Sequence, residues 1–390
     1  MPNVLIVRGH VATPWELRPW RELPDRFDVS VLLTRSNQFD VADVPLRKVP
    51  VRAVRDVLPR GRAGDVAAHL VGDRYLDGAQ RAYAQADIVH AEELSFWFAA
   101  DAAQRKARNG FKLVLTAWET LPFLSTYRNR QARRHREHVL AATDLYLAAT
   151  ERAREALLLE GVPEDRVEVC APGIDLARFA VPAPDPAPTE HIIVSPGRLV
   201  WEKGHHDVLR AMAALHHGIV TRPDGSIARP RLRIVGRGPE EQRLRSYAAE
   251  LGLAGAVDFS AVPYEQMPEV FAGASTMVLA SQSSASAAYH PFDVPHAFWE
   301  EQFGLVLAEA MAAGLAIVTT TNGAIPEVVR GSRAALVAPG DWMGIARELA
   351  AGSLSRDPGA RVDHGDARKR YSSESMARRL AAAYDRIIAV

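Results

Sequence analysis

The stretch Trp299-Glu300-Glu301-Gln302-Phe303-Gly304-Leu305-Val306-Leu307-Ala308-Glu309-Ala310-Met311 sets two carboxylates, Glu301 and Glu309, eight positions apart around a Phe-Gly turn. Leu305, Leu307, Ala308 and Met311 read as the buried face of an apolar helix opened by that turn. Glu309 then sits near the helix start and Glu301 in the loop before it. A helix N-terminus offers unpaired backbone N–H groups and a partial positive charge, so it suits an anion. Two acids beside such a seat suit a ligand with a phosphate and hydroxyl groups, and a nucleotide-sugar has both.

Outward from this stretch, short β-rich runs alternate with helical patterns along the chain. Strands are predicted at Val4–Val7, Val29–Leu33, Ile88–His90, Leu113–Thr116, Leu145–Ala148 and Val167–Cys170 in the first half. The second half repeats the rhythm at Ile192–Ser195, Leu232–Val235, Val257–Phe259, Thr276–Leu279, Ala316–Thr319 and Ala335–Val337. Helical periodicity marks Gln131–Ala142, Glu151–Glu160 and Ser373–Ile388. Such alternation predicts an α/β protein whose parallel sheets are covered by helices on both faces. Between the halves, Val181-Pro182-Ala183-Pro184-Asp185-Pro186-Ala187-Pro188 carries four prolines in eight residues, which can neither propagate a helix nor donate to a sheet. The expected division is therefore 1–180, a linker at 181–190, a second domain at 191–372, and a final helix at 373–390.

The totals bound the function. At 390 residues the chain is long enough for two domains, each with its own core. Basic and acidic residues number 47 each, so nothing global favours nucleic acid or a strong membrane attraction. A single cysteine, Cys170, excludes an internal disulfide and fits a reducing compartment. Met1-Pro2-Asn3-Val4-Leu5-Ile6-Val7 reads as a first strand rather than a signal peptide. No run approaches the roughly 20 apolar residues that span a bilayer. A cytoplasmic protein is expected.

Further stretches carry chemistry. Ser195-Pro196-Gly197-Arg198-Leu199-Val200-Trp201-Glu202-Lys203-Gly204 places an arginine and a lysine beside a glycine turn that ends a strand. Arginine can fork onto phosphate oxygens and lysine supplies a compact positive charge. Leu232-Arg233-Ile234-Val235-Gly236-Arg237-Gly238-Pro239 puts two glycines after a strand, without the third glycine of a dinucleotide fingerprint. The insertion 281–299 is rich in residues that stack on sugars or donate hydrogen bonds, among them Tyr289, His290, Asp293, His296 and Trp299. Arg128, Arg130, Arg133, Arg134 and Arg136 form a basic run whose mixed spacing favours a solvated helix face over contact with an anionic acceptor or membrane surface.

Taken together, Gly197-Arg198, Lys203-Gly204, the Glu301/Glu309 pair and Gly323-Ala324-Ile325-Pro326-Glu327 resemble the retaining glycosyltransferases of the GT-B fold, in particular the large family 4 group. The likeness is strong from Ser195 to Glu327 and loose before it; Gln302 stands where many members carry glycine. The resemblance implies two Rossmann-like domains facing one another across a cleft, with the last helix crossing back onto the first domain. It implies that Arg198 and Lys203 clamp a diphosphate and that Phe303, Gly304 and Leu305 bring backbone N–H groups to it. Glu309 would hold the ribose and Glu301 the transferred sugar. Gly236 would let backbone approach the nucleotide, and Val257–Pro263, with Val262, would read the base edge. Gly9 falls where the family has a glycine-rich loop. His90, in Asp87-Ile88-Val89-His90-Ala91-Glu92, matches the first histidine of a His-Ala-His strand end, with Glu92 in place of the second. Trp118 replaces a histidine that touches the donor sugar, beside Glu119, and Ala171-Pro172-Gly173-Ile174-Asp175 resembles an Asn-Gly-Val-Asp turn. His90, Trp118, Glu119 and His290 are thus candidate sugar or acceptor contacts.

The implied reaction moves a sugar from a nucleoside-diphosphate-sugar to an acceptor hydroxyl. No metal or other cofactor is expected, since the family needs none and the chain lacks an Asp-x-Asp motif. A sugar-nucleotide epimerase or a catalytically silent binding protein would share the fold and donor. The base, the sugar and the acceptor (glycan, lipid or small molecule) stay open, and peripheral contact with the inner membrane face is compatible with the basic run.

Overall fold

A computed structural model describes residues 1–59, 61–180, 182, 188–284 and 298–389, with side chains 62, 65 and 69 excepted. The expected linker lies largely outside the described residues, as do Tyr289, His290, Asp293 and His296. The chain divides by contacts into two units, Met1–Ile174 with Tyr371–Val390, and Asp175–Arg370.

The first unit is built on a seven-stranded parallel sheet: β1 (Asn3–Gly9), β2 (Asp28–Thr34), β3 (Arg47–Val51), β4 (Ile88–Glu92), β5 (Lys112–Ala117), β6 (Leu145–Ala148) and β7 (Val167–Val169), in the order β3-β2-β1-β4-β5-β6-β7. Strands β1, β4 and β6 are almost wholly buried, as expected where helices cover both faces of a parallel sheet. Strand β3 was not expected from the sequence. Its segment Arg47-Lys48-Val49-Pro50-Val51 mixes charges with a proline, and it lies at the sheet edge, where a missing N–H and solvated side chains are tolerated.

The helix Ser373–Ile388 belongs to this unit and completes one of its hydrophobic cores. Met376, Leu380, Tyr384 and Ile387 pack in a cluster with Val4, Ile6, Trp20 and Phe27. Ser372 caps it by accepting from the Ser375 N–H at 3.0 Å, and Ile174 N donates to Tyr371 O at 2.7 Å where the chain returns.

The second unit carries a six-stranded parallel sheet: β8 (Ile192–Pro196), β9 (Arg231–Val235), β10 (Val257–Ser260), β11 (Thr276–Leu279), β12 (Ala316–Thr320) and β13 (Ala335–Val337), ordered β10-β9-β8-β11-β12-β13. Strand order reverses at β8 in this unit and at β1 in the first. In open parallel sheets a reversal opens a crevice at the carboxyl ends of the strands, where ligands bind. The opening motif becomes the helix Leu305–Ala312. It is buried from Leu307 through Ala312 on every side, while Leu305 is only half-buried, so the expected single apolar face is corrected to an almost fully enclosed helix. Enclosure all round suits a segment with one charged residue among eight.

Candidate functional site

In the second unit the carboxyl ends of β8, β9 and β11 converge on the loops singled out above. Strand β8 leads into Gly197-Arg198, and the 3₁₀ turn Trp201–Lys203 follows before the helix His205–His216. The loops after β8 and β9 touch through their backbones. A Cβ placed on Gly236 would lie 1.8 Å from Gly197 O, and one on Gly238 would lie 2.2 Å from Leu199 O. Glycine is required there because one loop rests on the other, a cause distinct from nucleotide approach. His205 braces the same turn from below: Ser195 Oγ lies 2.9 Å from its Nδ1, and its Nε2 lies 3.2 Å from Arg198 O. Burial pushes the His205 ring down to about 4, so it is a neutral bracket at ordinary pH. The Arg198 side chain above it is exposed.

Lys203 reaches Glu301 across 98 positions of sequence. Its Nζ donates to both carboxylate oxygens, at 2.9 and 2.6 Å. Ser281 Oγ donates to the same carboxylate at 2.7 Å, and the Glu301 N–H donates to Asn322 Oδ1 at 2.5 Å. Glu301 O in turn accepts from Ala324 N at 2.9 Å, in the Gly-x-x-Pro-Glu turn. The Trp299 ring centroid lies 5.1 Å from the Lys203 ammonium, a cation–π distance. Lys203 and Glu301 are therefore one ion pair with mostly buried side chains, exposed 15% and 8%. The sequence suggested Lys203 as half of a diphosphate clamp; in this ligand-free structure its charge is shared with the neighbouring acid.

Gly304 precedes the helix with φ +75°, a left-handed turn for which glycine carries no Cβ penalty, and no side chain caps the helix start. Phe303 is buried and anchors the turn, and Leu305 begins the helix. Glu309 is the fifth residue of that helix, deeper than expected, and is 4% exposed. Tyr264 donates its hydroxyl to Glu309 Oε1 at 2.7 Å. Arg178 stacks over the Tyr264 ring at 4.8 Å and donates to Tyr264 O at 3.1 Å. Burial raises the Glu309 carboxyl to about 7, against the opposing pull of the Tyr264 hydroxyl and the Arg178 charge. Val262 lies half-buried in the loop after β10, two residues before Tyr264.

In the first unit the candidates separate. His90 is fully buried with both ring nitrogens engaged: Nδ1 lies 2.6 Å from Tyr384 Oη and Nε2 2.7 Å from Thr116 Oγ1. Burial, reinforced by Arg8, holds its ring well below the usual imidazole range. His90 thus joins the final helix to the sheet through both ring nitrogens. Gly9 ends β1 at φ +56°, where a Cβ would come 2.4 Å from the Phe98 ring, so packing accounts for it. Trp118 and Glu119 are half-buried in the loop after β5. Their N–H groups donate to Glu93 Oε1 at 2.7 and 3.2 Å, and the Glu119 carboxylate accepts from Thr120 N and Leu121 N, both at 3.0 Å. Glu93 itself adopts φ +59°, a strained conformation for glutamate. Of the basic run, Arg136 turns onto Glu160, with Nη2 donating to its carbonyl at 3.1 Å, while Arg128, Arg130, Arg133 and Arg134 are exposed. Among the described residues no helix is long and apolar enough to cross a membrane.

Several of these residues escaped the sequence reading: Tyr264, Ser281, Asn322, His205 and Glu93. The sequence reaches Ser281 only as the first residue of the insertion 281–299 and assigns a role to none of the five.

The family described as "Glycosyl transferases group 1" matches residues 180–369, and "Glycosyltransferase Family 4" matches residues 20–178. The chain belongs to these glycosyltransferases. It is 29% identical over 212 residues to the putative colanic acid biosynthesis glycosyltransferase WcaL of Escherichia coli strain K12, covering 53% of this chain and 47% of that one. It is 30% identical over 293 residues to a glycogen synthase of Mycobacterium tuberculosis, covering 70% and 61%. The chain thus spans only about half to three-fifths of the length of these relatives. Anabaena HepE, solved in complex with UDP, shares the fold with a TM-score of 0.70 at 15% identity, over 99% of this chain and 100% of the other. Two Rossmann-like domains of the GT-B plan are therefore the architecture.

Proposed function

We propose that the protein transfers a sugar from a nucleoside-diphosphate-sugar to an acceptor hydroxyl with retention at the anomeric carbon and without a divalent cation. One observation carries the reading: the Lys203–Glu301 pair and the buried Glu309 flank the uncapped start of the helix Leu305–Ala312. The leaving diphosphate gathers negative charge in the transition state. Arg198, Lys203 and the backbone N–H groups at Phe303–Leu305 are fixed donors for it, which a low-dielectric site makes effective. Glu309 accepts from the ribose hydroxyls and Glu301 from hydroxyls of the sugar. On donor binding, Lys203 divides its three N–H groups between Glu301 and phosphate oxygen. The acceptor attacks from the face of departure, with the phosphate oxygen taking its proton. The solved UDP complex of HepE supports a uridine nucleotide as the first donor to try. The exposed arginines of the helix Arg130–Ala142 suit an acceptor presented at the inner membrane face, for a protein working in the cytoplasm.

A thermal-shift panel of UDP-, GDP- and ADP-sugars tests the donor, because a tight ligand stabilises the native state by mass action. One nucleotide class is expected to raise Tm by several degrees. Arg198→Ala and Lys203→Ala are each expected to lower kcat at least about a hundredfold; the exposed Arg198 should leave the ligand-free Tm within a few degrees, whereas loss of Lys203 strands the buried Glu301 and lowers it. Near-normal transfer by the double variant would refute the clamp. Nucleotide binding with no diphosphate released with any acceptor marks a silent binding protein, and conversion of the donor to an epimer marks an epimerase.

A further inference from the structure

The first unit contains a cavity of about 470 Å³ lined by His10, Arg35, Ser36, Asn37 and Arg55 among others. That size lies within the range of small-molecule sites. Three adjacent parallel strands feed it at their carboxyl ends. β1 ends at Gly9, just before His10; β2 ends at Thr34, just before Arg35 and Ser36; and β3 ends at Val51, ahead of the 3₁₀ turn Val54–Val57 that carries Arg55. Hydrogen bonds tie the walls together: Arg35 N donates to Val51 O at 3.1 Å and Gln38 N to His10 O at 2.9 Å, while Ser36 N donates to the Asp56 carboxylate at 2.6 Å. The cavity is a built feature of the sheet rather than a gap between loops.

Its lining has one sign. It holds two guanidinium groups, an imidazole, a hydroxyl and two side-chain amides, and no carboxylate among the described lining residues. Arg55 is held in place by Asp73, with Nε 2.6 Å from Oδ2, and Asp73 does not line the cavity. Trp97 Nε1 points at His10 Nδ1 from 3.4 Å, which makes Nδ1 the acceptor and leaves the ring proton on Nε2. Ser36 Oγ is buried with no hydrogen-bond partner among the described residues. Guanidinium forks, an imidazole N–H and a hydroxyl together match phosphate oxygens. A second cavity of about 550 Å³ lies at the amino ends of the same strands. Its lining mixes Asp28 with Arg47, which pair at 3.5 Å, and with Arg81, so unlike the first cavity it includes a carboxylate.

We propose that the His10–Arg35–Arg55 cavity binds the phosphate group of a phosphorylated ligand, independently of the transferase reading. The full chain, without any nucleotide-sugar, is titrated with glucose 6-phosphate and with glucose by isothermal titration calorimetry. In a second arm, vesicles of phosphatidylcholine with and without phosphatidic acid separate a lipid-borne phosphate from a soluble one. In at least one arm the phosphorylated probe is expected to bind about tenfold or more tighter than its neutral counterpart. Arg35→Glu, at an exposed side chain, is expected to remove that preference while UDP affinity is unchanged, and Arg35→Lys to retain part of it. The proposal is overturned if neither phosphorylated probe outbinds its neutral partner, or if Arg35→Glu leaves the preference intact. Because no donor is present, either failure is distinct from a failure of the transferase reading.

Discussion

Glu309 shows how one buried acid couples stability to pH. In the unfolded chain it ionises near 4.5, whereas in the folded chain burial lifts it to about 7. Between those values the folded state keeps a proton that the unfolded state has lost. Its stabilising contribution is therefore complete below about 4.5 and lost as pH rises through about 7. The difference corresponds to roughly 3 kcal/mol at most. Glu309→Gln is expected to raise Tm relative to the parent at pH 8 and to lose that advantage at pH 4; parallel Tm-against-pH curves would sink the assignment. UDP-sugar affinity, if Glu309 must be ionised to accept two ribose hydroxyls, is expected to climb from pH 6 to pH 8 in the parent alone. At this scale the sequence identified the acid but not its state. Spacing put Glu301 and Glu309 around a glycine turn, yet the bond from Tyr264 and the pairing of Lys203 with Glu301 join residues 45 and 98 positions apart. No local pattern encodes such partners. His90 is another such case: a motif match pointed it at a ligand, and in the folded chain both its nitrogens meet Tyr384 and Thr116.

Elements were more legible than residues, because alternation and apolar runs are local. Among the described residues, twelve of the thirteen strands coincide with runs read from sequence, and the exception, β3, owes its concealment to Pro50 and flanking charges. The helix Leu305–Ala312 was found by the same means, but its enclosure was not, since burial on every side depends on what packs around it. The contact between the loops after β8 and β9 belongs to this scale too. Gly236 and Gly238 looked like half of a phosphate fingerprint; in the structure their missing side chains let two turns stack. Gly236→Ala should therefore push Gly197 and Arg198 out of place while both sheets persist. The expected result is at least about tenfold weaker binding of the preferred nucleotide with unchanged far-ultraviolet circular dichroism. Undiminished binding would show that the loops yield without disturbing the site.

For the molecule as a whole, the two units have separate sheets and separate cores, so damage to one is expected to stay there. Tyr384 offers the test. It is fully buried, its hydroxyl meets His90, and its ring lies 5.7 Å from Phe27 and 6.5 Å from Trp20. Tyr384→Ala removes a large aromatic side chain from a packed core and is expected to cost about 3–5 kcal/mol. Hydrogen exchange should then accelerate in β1, β2 and β4 and remain unchanged in β8, β11 and β12. Equal acceleration in both sheets would mean that the units unfold together.

The return of the segment Tyr371–Val390 to the first unit has a further consequence during synthesis. A ribosome completes the strands of the first sheet more than two hundred residues before it makes the helix that covers their apolar face. Until then Val4, Ile6, Trp20 and Phe27 lack that cover, while the second unit, translated later, has all of its own parts first. The unit encoded second is thus the first able to finish folding, and the nascent first unit must be kept from aggregating through a window of about ten to fifty seconds at ordinary elongation speeds.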